Sequence, residues 1–543
     1  MPEIAAQKQS LTRQTAWILT AKIASYALTI AVPLILARRL AQTEFGQYKA
    51  IFLVIMTANA ILPFSFGASA YFFLPRETGA RRAGAVANIF LFNLGVGLLA
   101  FLTLFFYPQI LNLIFHDAAI VGFAPALGAA ILLWIFSSFL ETLVIANQEA
   151  SLAMIFIVFA QFTKAVFFVT AAIFVGSIES LIWAAIAQAA LQTVVLLVYA
   201  NSRFRGFWSA FDFGLFRQQF SYTLPFGLGG WFSTAQTDLH NYFVTSRFTA
   251  AEFAVYAVGC FDLPLIGILA ESVSAVLIPA VSRLQASGDK REIIETTARV
   301  ARKLALVYFP LYAFLLVVAD TFLIALFTDK FSDSIPIFRL NITLLPFAVL
   351  VLDPISRAYK QIGYFLLKLR VVLFVLMTTA LVFATNSGNL LAINAVVVVF
   401  ALVERGLSTT RILREIGFRK IDFRLFASLA RAAAAAAVAG IALFLLHFFA
   451  APTLPQIFAA RIESVLTSFG IALAAKIAAF AGASIYLAIC AAVFALAYAS
   501  LANVFGAVEP DEKQKIVALI RKPFARFNKM ENTVSAETRL STE

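Results

Sequence analysis

The sequence predicts an all-α polytopic membrane protein of about fourteen transmembrane helices, and three observations carry that expectation. Of the 543 residues, 62% are hydrophobic and 13% charged, against about 45–50% and about 25% in soluble domains. Apolar runs of roughly 20 residues, enough to cross a hydrocarbon core of about 30 Å, recur from one end of the chain to the other. A loop-and-helix pattern also repeats at an offset of 208 residues. No stretch is polar enough to form a separate catalytic or nucleic-acid-binding domain. The formal charge of +13 therefore has to be read first as topology, with some contact to anionic membrane lipids, and no nucleic-acid partner is expected.

Residues 1–15 are polar and read as a cytosolic N-terminus; the run 16–36 that follows is too long for a signal core and is interrupted by Lys22, so it is expected to be a retained first span. Further spans are expected near 45–74, 83–106, 127–145, 151–175, 181–200, 224–244, 253–281, 297–319, 336–356, 366–384, 390–410, 426–447 and 469–504. Pro63 and Gly67 in the second, and Pro264 in the eighth, predict single kinked helices. Alternate loops, counted from the N-terminus and including the tail, hold 31 Lys and Arg. The opposite loops hold 6, namely Arg38, Arg39, Lys49, Arg247, Lys330 and Arg461. The positive-inside rule then places both termini in the cytosol, in a cytoplasmic (inner) membrane. Cys260 and Cys490 sit in apolar runs and predict no disulfide. His116, His240 and His447 are far apart in the chain and predict no metal site.

The repeat is explicit in two loops. Arg39-Leu-Ala-Gln-Thr-Glu44-Phe45-Gly46-Gln47-Tyr48 aligns with Arg247-Phe-Thr-Ala-Ala-Glu252-Phe253-Ala254-Val255-Tyr256, and adding 208 to the early spans reproduces the later ones. Glu44 and Glu252 fall where helices begin and where negative charge suits the helix dipole. The expected organisation is an N-lobe over 16–219, a C-lobe over 220–424, two extra helices over 425–504, and a cytosolic basic amphipathic tail over 505–543 that ends in disorder. An even number of spans per half makes the two repeats parallel.

These loop residues, together with Asp238, Tyr256 and Pro279 around the seventh and eighth spans, resemble the polysaccharide-exporter branch of the multidrug/oligosaccharidyl-lipid/polysaccharide (MOP) exporter superfamily, which includes the O-antigen (Wzx-type) flippases. The resemblance implies a V-shaped, two-lobed bundle that moves undecaprenyl-diphosphate-linked glycans from the cytosolic to the outer leaflet for surface polysaccharide synthesis. It implies a lipid-linked oligosaccharide as substrate, glycosyltransferases and a polymerase as partners, and no cofactor.

Enzyme signatures are missing from the sequence: there is no Walker A loop, no His-Glu-x-x-His helix and no paired CxxC. The longest outer loop, 448–468, is short for a membrane glycosyltransferase. Ionisable residues inside spans are then the candidates for function. Lys164, with Gln161 on the same helix face, and Lys22, with Tyr26, are candidates to hold a diphosphate. The competing expectation for Lys164 is a locking ion pair with Asp262 or Glu271. Asp238, Asp262 and Glu271 are candidates for coupling to proton or sodium movement. Gln188 and Gln192 form an i,i+4 stripe on span 6, as Ser137 and Glu141 do on span 4; such stripes line a wet cavity or bond neighbouring helices. Arg339, Asp353, Glu141, Glu404, Arg405 and Lys476 lie near span ends and are expected to be interfacial anchors. Cation-coupled multidrug efflux is the alternative function and would need a cavity dominated by carboxylates. A membrane glycosyltransferase or polymerase is the third.

Overall fold

The computed structural model describes residues 28–115, 118–468 and 474–508, and no strand occurs among them. The chain runs through α1 (28–39), α2 (Gln42–Ile61), α3 (Ser69–Phe73), α4 (Gly79–Phe106), α5 (Ala124–Ser137), α6 (Phe139–Ala146), α7 (Ala150–Phe174) and α8 (Ile178–Arg203). It continues through α9 (Phe213–Arg247), α10 (Ala250–Gly259), α11 (Pro264–Ala286), α12 (Lys290–Phe327), α13 (Ile335–Asn341) and α14 (Asp353–Ala358). It ends with α15 (Lys360–Asn386), α16 (Leu390–Glu415), α17 (Ala427–Ala450), α18 (Leu454–Ser468) and α19 (Ala474–Val504). Among the described residues, ten helices are long and apolar enough to cross a membrane, or eleven when the bent pair formed by α2 and the segment Phe66–Phe73 counts as one span.

The chain packs as two units. The first comprises the described residues up to Gly267 with Phe322–Asn341 and Lys360–Ser408; the second comprises Ile268–Thr321, Ile342–Tyr359 and the residues from Thr409 onward. This grouping differs from the division into 16–219 and 220–424, because the first unit draws in helices from the second repeat.

The repeated loops start their helices by the same device. The Glu44 carboxylate accepts from the Ala41 backbone N–H at 2.9 Å, and the Glu252 carboxylate accepts from the backbone N–H and hydroxyl of Thr249, both at 2.8 Å. Each glutamate is the third helical residue and satisfies an N–H that the helix itself leaves open. The two helices then cross closely, since a Cβ on Gly46 would run into the Ala250 carbonyl. Cations in these loops serve helix ends. Arg38 donates to the Leu326 carbonyl at 2.5 Å and to that of Ala325, at the end of α12, while Lys330 Nζ donates to the Leu40 carbonyl at 3.2 Å.

Span 2 breaks after α2 with a 45° bend. Phe64 and Ser65 take left-handed backbone angles (φ 47° and 55°), and Gly227 of α9 sits against the Phe64 carbonyl, where a Cβ would lie 2.5 Å from the oxygen. Beyond the break Phe66 is fully buried against Phe92, Phe216 and Phe220. A buried amide network ties the start of α9 to α4. Asn88 Nδ2 donates to the Asp212 carbonyl at 3.0 Å and to Gln219 Oε1 at 2.9 Å, and Gln219 Nε2 donates to Ser69 Oγ at 3.1 Å. Both amides are 0% exposed, so a missing partner cannot be replaced by bulk water. Asn88→Ala is therefore expected to cost about 2–3 kcal/mol, read as a lowered Tm of the purified full-length protein in detergent. An unchanged Tm would show the network to be dispensable.

Three expected spans are corrected. The run 336–356 is not one helix: α13 gives way to a 3-10 stretch, Ile342–Val349, and then to α14. Pro346 and Pro354 lack the N–H groups a continuous α-helix would use. The run 253–281 is two helices rather than one kinked helix, since α10 stops at Gly259 and Pro264 opens α11. Span 7 is the 35-residue α9, which starts well before 224 and is not among the strongly apolar spans. The expected outer loop 448–468 carries α18, which packs on α19 in the second unit, with Gly482 lying against the backbone of Pro455 and Ala459. Also in that unit, His447 bonds Tyr486 through Nδ1 at 2.9 Å and Asp320 through Nε2 at 3.1 Å, so it is a buried, partnered histidine. His116 lies outside the described residues.

Candidate functional site: a charged cavity in the first unit

Two adjoining cavities open inside the first unit. The larger, about 1170 Å³, is lined from α1 by Thr29, from α2 by Tyr48, Lys49 and Phe52, from α7 by Gln161 and Lys164, and from α9 and beyond by Asn241, Cys260 and Asp262. The smaller, about 730 Å³, shares Met56, Gln161 and Lys164 with it and adds Asn59, Trp134, Ser137, Glu141, Gln188 and Gln192.

Lys164 stands at the junction. Its ammonium lies 5.0 Å from the centre of the Trp134 ring and 5.8 Å from that of Phe52. It forms no ion pair with Asp262, the candidate partner in its own unit. Lys49 lies 5.7 Å from the ring centre of Phe45 and makes no close salt bridge with a described carboxylate, although Asp262, which lines the same cavity, acts on it electrostatically. An ammonium over an aromatic face gains a modest electrostatic attraction without a neutralising anion. Among the described residues, the charged groups lining the larger cavity are two ammoniums and one carboxylate, Asp262.

Lys49 corrects the loop count. The loop count puts it in an outer loop, but α2 begins at Gln42 and places Lys49 two turns into the helix. The aligned repeat contained the signal: with Glu44 opening the helix, Lys49 had to follow inside it, and its counterpart at the offset of 208 is the uncharged Ala257.

The other candidates separate. Gln161 accepts from Thr29 Oγ1 at 3.2 Å and lines both cavities. The stripe Ser137, Glu141, Gln188 and Gln192 does line a cavity, so Glu141 is a lining residue here, and Gln192 Nε2 also donates to Thr163 Oγ1 at 3.3 Å. Asp238 lines neither cavity; its Oδ2 accepts from Thr57 Oγ1 at 2.6 Å. Glu271 is exposed on α11 in the second unit. Lys22 and Tyr26 lie outside the described residues. Glu404 is a structural tie between α9, α15 and α16, accepting from Gln236 and pairing with Arg370, both at 2.9 Å. His240 is buried and bonded to the Tyr256 hydroxyl at 2.7 Å. Among the described residues no group of histidine, cysteine and carboxylate side chains is arranged to hold a metal ion.

An apolar helical bundle with polar, charged cavities between its helices is an architecture that membrane transporters use. The sequence signature of a family described as "Polysaccharide biosynthesis protein" matches residues 35–336, more than half of the chain, and the chain belongs to that family. No curated protein matches the sequence. The fold is similar to that of the lipid II flippase MurJ in an inward closed conformation, at 13% identity and TM-score 0.65, covering 90% of this chain and 98% of that one. It is also similar to an inward-facing multidrug-resistance MATE transporter of the MOP superfamily, at 16% identity and TM-score 0.58, covering 72% and 94%. A third similar structure is a MOP superfamily transporter from Pyrococcus furiosus described as having a binding pocket of reverse polarity, at 14% identity and TM-score 0.53, covering 76% and 96%. The likeness to these flippase and transporter structures is one of fold, and the family is that of the polysaccharide biosynthesis signature.

Proposed function

We propose that this protein translocates a polyprenyl-diphosphate-linked oligosaccharide from the cytosolic to the outer leaflet of the cytoplasmic membrane for surface polysaccharide synthesis, with both termini cytosolic and two lobes alternating access to the cavity. The observation that carries this reading is the larger cavity, whose described lining holds two ammoniums, Lys49 and Lys164, against one carboxylate, Asp262. A diphosphate brings two negative charges and several acceptor oxygens, and desolvated ammoniums hold such a group by charge-assisted hydrogen bonds. Reversible binding is what transport needs, and lysine acts there as a compact point charge without the bidentate grip of arginine. Family membership supports the polysaccharide setting, and the likeness in fold to a protein described as a lipid II flippase supports a lipid-borne cargo. Asp262, across the same cavity, is the carboxylate placed to exchange a proton or sodium ion as the ammoniums load and unload.

The cation-efflux reading, which the MATE neighbours fit, calls for a lining dominated by carboxylates, and the larger cavity has the opposite balance. The test is leaflet accumulation. A strain lacking this protein should accumulate lipid-linked glycan on the cytosolic leaflet, and the wild-type chain should relieve it. Absence of accumulation, in a strain with no second exporter, together with raised sensitivity to hydrophobic cations, would favour efflux.

A further inference from the structure

We propose that the smaller cavity is a saccharide subsite, which takes the hydroxyl-bearing sugar next to the diphosphate while the larger cavity takes the diphosphate itself. This inference rests on the flippase reading and adds a division of the substrate between two places.

One buried, unsatisfied oxygen beside a second amide without a hydrogen bond points to a ligand. Gln188 is 7% exposed, lines the smaller cavity and makes no hydrogen bond to any described residue. Asn59 Oδ1 lines the same cavity, is buried, and also has no partner among the described residues. A buried side-chain oxygen is ordinarily bonded, and one that is not, lining the same space as the Gln188 amide, marks a place for an occupant. Gln188 offers both donors and an acceptor, and Asn59 an acceptor. A sugar hydroxyl, which donates and accepts, answers both.

The remaining lining fits the same ligand. Trp134 presents an apolar ring surface of the kind that covers the C–H face of a pyranose, and its Nε1 is already committed to the Ala185 carbonyl at 3.2 Å. Glu141 and Ser137 add oxygen acceptors. The lipid-facing alternative, an acyl or prenyl chain in this cavity, would leave both amides unpaired and is disfavoured by the cost of burying them. Lys164 belongs to both cavities, which places the charged group and the first sugar on either side of one residue.

The experiment compares two probes on the purified full-length protein in nanodiscs: polyprenyl diphosphate without sugar, and the same lipid carrying one neutral N-acetylhexosamine. The expected result is that the wild type binds the sugar-bearing probe more tightly, and that Gln188→Leu loses about tenfold for that probe, the worth of one buried hydrogen bond. Binding of the sugar-free probe should be unchanged, which also shows that the variant is folded. Asn59→Leu should behave in the same way. Equal affinity of the wild type for the two probes, or equal loss for both probes in a variant that keeps the wild-type Tm, would overturn the subsite while leaving the flippase reading standing. Failure of the wild type to bind either probe would instead overturn the flippase reading, and the subsite with it.

Discussion

Replacing Lys49 and Lys164 together by alanine is expected to abolish complementation of a strain lacking this protein, at equal membrane expression. Each ammonium supplies a charge-assisted bond of about 1.5–3 kcal/mol to the diphosphate, or roughly 10- to 100-fold in binding. Losing both should cost about 100- to 10,000-fold if the two act independently, and somewhat less if one can cover for the other. Single substitutions should each give a partial defect, with Lys164→Ala the more severe because that residue lines both cavities. Lys164→Arg should retain charge yet fit less well, since the planar fork is wider than the ammonium between Trp134 and Phe52. Full complementation by the double alanine variant would remove the cations from the mechanism. The carboxylate gives the converse control. Asp262→Asn preserves volume and should leave diphosphate binding in place while slowing turnover if ion exchange there drives release.

The largest expected effect on stability is at the crossing of the repeats. Gly46→Val would put a branched side chain where the Ala250 carbonyl lies, against backbone that cannot swing away as a flexible side chain could. Overpacking of this kind costs about 1–3 kcal/mol, and occasionally more, when a core side chain is the obstacle; against backbone the upper end, about 3 kcal/mol, is expected. The measurement is Tm in detergent together with the yield of monodisperse protein. Wild-type values for both would mean that α2 and α10 can separate without loss, and that their capped starts are not a fixed joint.

Much of this was legible in the sequence. The helix-start function of Glu44 and Glu252 follows from an acidic residue three positions after a small or hydroxyl residue, and the structure shows both carboxylates on the open N–H groups. The i,i+3 and i,i+4 spacings put Gln161 with Lys164 and Gln188 with Gln192 on shared helix faces, while whether those faces meet a cavity or a neighbouring helix depends on packing that the sequence does not report. Lys49 was missed for the same physical reason that makes span ends uncertain: a charged residue near an edge lowers local hydropathy and is drawn into the neighbouring loop. The unpartnered amide of Asn59 was not legible, since its significance lies in what does not bond to it, and that depends on α5, α7 and α8 surrounding the same space. The separation of α10 from α11 and the fragmentation of 336–356 depend on where prolines stop a helix, which hydropathy alone does not report. Asp238 reads in sequence like a coupling carboxylate, yet its nearest engagement is the Thr57 hydroxyl, outside both cavity linings.

The central claim is movement of a diphosphate-linked glycan between leaflets, and its most direct test is a purified one. The full-length protein is reconstituted into proteoliposomes with a short-prenyl diphosphate N-acetylhexosamine confined at first to one leaflet, and the fraction reaching the other leaflet is followed by an impermeant sugar oxidant or lectin. Wild-type vesicles should transfer the lipid much faster than protein-free vesicles, and Lys49→Ala/Lys164→Ala vesicles should resemble the protein-free ones. Equal rates with and without the wild-type protein, under conditions where it is folded and an ion gradient of either proton or sodium is imposed, would contradict the account.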